Sequence, residues 1–130
     1  MKPALLTSIG KTILTASMIA TLSACGSMGN TDAISDASRL AIDCQTDKAL
    51  AALDRAGQGG GLAAKIADLE RVVILRDAGR TSEAAAAMAE RNARAEADAE
   101  ARAEAEEAVA ESLDELRDER QKQTGRRTCP

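Results

Sequence analysis

The sequence predicts an all-α protein: antiparallel helical hairpins followed by a long helix rich in Ala, Glu and Arg. Three observations carry that reading. Past residue 33, apolar residues recur at spacings of three and four. Ala, the strongest helix former, dominates, with 25 Ala against 17 Leu, Ile, Val or Met in residues 26–130. Glycines at 57, 59–61 and 79 fall between the periodic stretches, where helices stop.

The first 24 residues read as a secretory signal. Lys2 and Lys11 place positive charge near the start, and the first acid of the chain is Asp32. A mostly apolar run spans Thr12 to Ala24. At about 13 residues it is shorter than the roughly 20 needed to cross a bilayer core, and it suits the apolar region of a signal peptide. The run closes on Leu22-Ser23-Ala24-Cys25. This tetrad resembles the lipobox of bacterial lipoproteins: a branched apolar residue, two small ones, then Cys. The resemblance implies cleavage between Ala24 and Cys25. It also implies a thioether-linked diacylglycerol on Cys25 and an acylated, palmitate-like amine. Residue 26 is Gly rather than the Asp that in this family retains proteins at the inner membrane. The resemblance therefore implies the periplasmic side of the outer membrane.

Residues 25–33 are small and polar and are expected to form a flexible tether. Residues 34–91 form the expected hairpin region. Ile34, Ala37, Leu40 and Ala41 predict a short helix from Ile34 to Ile42. Thr46 and Asp47 suit a helix start, Ala49, Leu50, Leu53 and Ala56 share one face, and Gly57 is a stop. Residues 58–61 form a loop. The next helix, Leu62 to Ala78, carries a stripe at Leu62, Ile66, Leu69 and Val73. Val72, Ile74 and Leu75 widen it near its end, which is expected to be covered on two sides, so this is the expected core helix. Gly79 ends it, and Thr81 or Ser82 caps the following helix. The short connection predicts an antiparallel return.

From Ser82 the helical signal runs on to about Gln121. Its character changes near Arg91, so 92–122 is assigned as a charged Ala-rich helix. Ala alternating with charge suggests a strand at first sight, but Ala, Glu and Arg are poor strand residues and good helix formers. Glu90 to Arg94 and Asp98 to Arg102 pair with the favourable polarity. Val109, Leu113 and Leu116 make a narrow apolar stripe, and 123–130 is a polar, basic tail.

Residues 47–56 (DKALAALDRA) and 69–91 (LERVVILRDAGRTSEAAAAMAER) resemble tetratricopeptide-type repeats. Ala49, Leu53 and Ala56 follow the Ala–large–Ala spacing of the second repeat helix. Gly79, then Ala84 and Met88, repeats the turn and part of that spacing, with Arg91 in place of the final Ala. The resemblance implies at most two helix pairs of about 34 residues each.

Composition limits the chemistry. There is no His, Phe, Trp or Tyr, which excludes a His-based triad, an imidazole metal ligand and an aromatic base-stacking platform. Losing Lys2 and Lys11 with the signal leaves 15 basic residues against all 21 acids, a net charge of −6. That balance disfavours nucleic acid. A Ser/Thr–Lys dyad at Lys48 or Lys65 has no supporting motif, and Gly59–Gly61 lacks the Lys-Ser/Thr of a phosphate loop. The acids from Glu96 to Glu107 lack calcium-loop spacing. No catalytic residue, metal site or cofactor is expected.

In an oxidising compartment, with Cys25 lipidated, Cys44 and Cys129 are the two cysteines left to pair; free thiols and intermolecular bridges stay open. Leu, Ile and Val are so few that the core is expected to be small and in need of a staple or a partner. The functional expectation is an outer-membrane lipoprotein serving as a small helical adaptor for an envelope protein partner. The alternative is a self-associating coiled-coil spacer. Its Ala-rich helix is similar in composition to the major murein lipoprotein, but the chain ends in Cys129-Pro130 rather than Lys.

Overall fold

A computed structural model describes residues 25–130, with only the backbone described for 25–29. The signal reading of residues 1–24, including Ala24 on the cleavage side, lies outside the described residues. Five helices follow one another: α1 (Cys25–Ile42), α2 (Thr46–Gln58), α3 (Gly61–Asp77), α4 (Thr81–Arg94) and α5 (Ala99–Thr124). No strand occurs among the described residues. Helices α1 to α4 pack each on the next as antiparallel hairpins. The long α5 then returns across α3 and reaches α1.

Two apolar clusters meet on α3. In the first, Ala33, Ala37 and Ala41 of α1 pack on Ala49, Ala52, Leu53 and Ala56 of α2, with Ala67 and Ile74 of α3. Alanine on both facing surfaces brings the axes toward the close end of the 8–10 Å range. In the second, Val72, Val73 and Leu75 of α3 pack on Ala84 and Met88 of α4 and on Ala105 and Val109 of α5. Leu50 and Leu116 touch both clusters. The expectation that the end of α3 is covered on two sides describes this arrangement.

The structure corrects the sequence reading in four places. The expected tether is helical: α1 begins at Cys25, and buried Ala33 carries the helix back into that segment. The Leu62–Ile66 half of the predicted core stripe stays at the surface, because no helix covers the start of α3 on that side; Leu62 is 72% exposed. The hydroxyl caps at Thr46 and Thr81 are absent. Gln45 and Arg80 occupy the cap positions without a side-chain cap bond.

The fourth correction concerns the single helix expected through 82–121. It breaks after Arg94, and the boundary expected at residue 92 falls at 95–98 instead. Glu96 takes a left-handed conformation (φ 48°), with Ala97 N–H donating to Asn92 O at 3.0 Å and Glu96 N–H to Ala93 O at 3.2 Å. Asp98 then caps α5 by accepting from Ala101 N–H at 2.9 Å. The same wrapped end closes α1 at Cys44 (φ 59°) and α3 at Gly79 (φ 72°). Only one of these three stops is glycine, so only one announced itself.

A side chain in the left-handed region costs about 1–2 kcal/mol, and glycine returns part of that in unfolded-state entropy. Glu96→Gly is therefore expected to stabilise the protein by about 0.5–1 kcal/mol. Glu96→Val should destabilise it. The comparison of urea midpoints checks both signs.

Candidate functional site

The two ends of the bundle differ in chemistry. One end gathers the close of α1, the α3–α4 turn, the last turns of α5 and the tail. Arg120 of α5 is buried, 1% exposed. It lies two residues beyond the α5 stretch that the tail grips, since Arg127 pairs with Asp114 at 3.0 Å and also with Asp118. The Arg120 guanidinium makes five hydrogen bonds. It donates to Ala41 O (2.9 Å) and Ile42 O (3.1 Å), carbonyls at the end of α1, and to Arg127 O (3.0 Å). It also grips both carboxylate oxygens of Asp77, whose side chain is 5% exposed. Arg117 adds a second cation to Asp77 at 3.2 Å. Cys44 and Cys129 are joined over this cluster by a disulfide that spans 85 residues. No buried side-chain polar atom lacks a partner among the described residues. This end is a lock rather than a site.

The other end is open. The first half of α3 and the last turn of α4 border a groove of about 690 Å³. Leu62, Ile66 and Leu69 lie along α3 at spacings of four and three, so one helix face presents all three to it. Ile66 is 36% exposed. Lys65, Arg91 and Arg94 stand around these apolar side chains, with Asp68 as the facing acid. Arg94 is held by Asp68 at 2.8 Å and Glu90 at 2.5 Å, and Arg91 donates to Asn92 Oδ1 at 2.9 Å. Just behind, Arg71 of α3 pairs with Asp54 of α2. The groove therefore joins an apolar floor to a rim with more cations than acids, on an otherwise acidic protein.

The remaining residues singled out in the sequence are scattered. Cys25 is the first residue of α1. Lys48 donates to Gln45 Oε1 at 2.8 Å, and Glu106 pairs with Arg76 at 2.6 Å. No cluster of three or more Cys, Asp or Glu is placed to hold a metal ion among the described residues. None of their helices is long and apolar enough to cross a membrane.

Sequence reasoning passed over Arg120 and Asp77, although both left a signal. Val109, Leu113 and Leu116 advance by four and three, and the next step of four lands on Arg120. The stripe through Val73 likewise arrives four residues later at Asp77. A charge at the next position of an apolar stripe points to a buried pair.

One titrating group stands out beside the core. Burial on α3 pushes the Glu70 carboxyl up, and Glu115 facing it from α5 adds to the rise. A raised carboxyl in the folded state contributes stability below the ordinary Glu range, and that stability is lost as pH rises through the raised value. Glu70→Gln is expected to raise the melting temperature at pH 7. The gain should vanish below about pH 4, where the unfolded carboxyl is also protonated. For the lock, Asp77→Ala leaves a buried guanidinium without its anion and should cost about 3–5 kcal/mol in denaturant unfolding. The Asp77→Ala, Arg120→Met double variant should recover part of that loss.

Against known proteins, the chain matches no protein-family model, no curated protein and no solved structure.

Proposed function

We propose that this chain is a lipid-anchored envelope protein, held at the periplasmic face of the outer membrane through Cys25, and that it works as a small helical adaptor for another envelope protein. The single observation that carries the proposal is the tetrad Leu22-Ser23-Ala24-Cys25 after a charged start and a short apolar run. Two acyl chains or more give stable anchoring where one gives only marginal binding. The helical body supports the adaptor role. It is a small helical scaffold, pinned by the Arg120–Asp77 pair and the Cys44–Cys129 bridge, whose charged outer faces are open to a partner. We propose no enzymatic role.

We propose the likeness of residues 47–56 and 69–91 to tetratricopeptide-type repeats as one of helix packing. The coiled-coil spacer reading draws less support. Its stripe of Val109, Leu113 and Leu116 is packed against α3 within the second cluster, so little apolar surface on α5 remains for a second copy.

Intact mass of the protein extracted from membranes is expected to show residues 1–24 removed and a diacylglycerol plus an acyl chain on Cys25. Envelope crosslinking should recover one defined protein partner. Recovery of soluble protein with residues 1–24 attached would overturn the anchoring, and repeated crosslinking to copies of itself alone would overturn the adaptor role.

A further inference from the structure

We propose that the Leu62–Ile66 edge rests on the phospholipid surface that receives the Cys25 anchor, so that the bundle stands on the membrane with its α2–α3 turn down and its disulfide end outward. The inference builds on the anchoring proposed above and adds the surface of the body that meets the lipid.

Three observations place that edge beside the anchor. The α2–α3 turn lies against the early part of α1: a Cβ on Gly59 would collide with the Asn30 side chain. Leu62 is three residues past that point. From Asn30, α1 continues as helix to Cys25, five residues that carry the anchor only about 7–8 Å farther along the axis at 1.5 Å per residue. A continuous helix, rather than a loose tether, therefore connects the attachment point to the end of the bundle that bears Leu62.

The chemistry of that end suits a headgroup boundary. Leu62 and Ile66 are the large hydrophobic residues that stay exposed among the described residues. Lys65 sits between them on α3, and Arg91 and Arg94 close the rim from α4. Apolar side chains flanked by long cationic ones match a bilayer surface, where the methylenes sink and the charges stay with phosphate. The acids of the same end are arranged differently. Asp68 and Glu90 are tied to Arg94, and Asp98 caps α5. Asp32 on α1, Glu96 on the α4–α5 turn and Glu100 in the first turn of α5 are exposed. Charge at this end is thus mixed, and seating depends on Leu62 and Ile66 more than on anionic lipid. So small an apolar edge does not hold a protein on a membrane by itself. Tethered by Cys25, it meets the surface at high effective concentration. The opposite end carries the disulfide and the paired Arg127 and points away.

The absence of Trp, Tyr and Phe makes an introduced Trp the sole aromatic reporter. Full-length Leu62→Trp protein is expressed with its own residues 1–24 and recovered as the cell leaves it. If Cys25 carries lipid, the protein is reconstituted directly. If Cys25 is a free thiol, it is coupled to maleimide-bearing phosphatidylethanolamine. Vesicles are phosphatidylcholine with a minor share of phosphatidylglycerol, with or without acyl-chain bromination. Gln123→Trp, at the far end of α5, is the control, and circular dichroism verifies that both variants are helical. The expected result is a blue-shifted emission for Leu62→Trp that brominated lipid reduces by more than half, with Gln123→Trp unaffected. Equal quenching at both positions would overturn the upright placement. Quenching at neither would overturn lipid contact and assign the groove to a protein partner. Finding Cys25 unlipidated in the cell would defeat the anchoring proposal separately, since the coupled protein still reports which end meets the vesicle.

Discussion

The buried Arg120–Asp77 pair is the constraint on which the arrangement of helices depends. Removing a guanidinium and a carboxylate from water costs several kcal/mol per ion unless each finds a full set of partners. Arg120 finds them only when four separate parts of the chain converge: the end of α1 through Ala41 O and Ile42 O, the end of α3 through Asp77, α5 itself, and the tail through Arg127 O. A register slip of α5 along α3 would strand the charge. The pair therefore specifies where the long helix lies, which a stripe as narrow as Val109, Leu113 and Leu116 does weakly. The Cys44–Cys129 bridge reinforces the same corner. A loop of that length removes roughly 4–5 kcal/mol of unfolded-state entropy in the chain-entropy model.

Such reinforcement matters because the apolar core is modest. Most of its members are alanine, which buries little surface and loses no side-chain entropy. Alanine lets α1, α2 and α3 approach closely, but it discriminates poorly between neighbouring registers. Directional contacts compensate. Arg80, at the α3–α4 turn, holds Glu83 and reaches Asp47 at the start of α2. Arg71 and Arg76 link α3 to α2 and α5. Isolated surface pairs are worth little. Here they run between helices whose apolar faces leave the register open.

The locked end and the open end differ in chemistry. Where the disulfide, the tail and Arg120 converge, every buried polar group is satisfied. Where α1 begins, Leu62 and Ile66 remain in water beside Lys65. The folded body thus has a direction along its helices, with the start of α1 at the open end and the disulfide at the other.

Much of this was legible along the chain. Helical class, the positions of α2 and α3, the stop at Gly79 and the central place of Val72–Leu75 follow from 3.6-residue periodicity and glycine chemistry, which are local and need no partner. The Leu22-Ser23-Ala24-Cys25 tetrad is a local pattern too. Other features required the folded chain. The stop at Glu96 uses a residue that normally propagates helices, and only the return of α5 onto α3 holds it in the left-handed region. The helical start of α1 depends on Ala33 meeting α2 rather than on the weak propensities of the residues before it. Leu62 and Ile66 have the spacing of core residues, and they face the groove because no other helix lies over them. Periodicity tells which side chains share a face. Whether that face is buried depends on which helix comes to lie against it, and the chain decides that through Arg120 and Asp77, residues 43 apart.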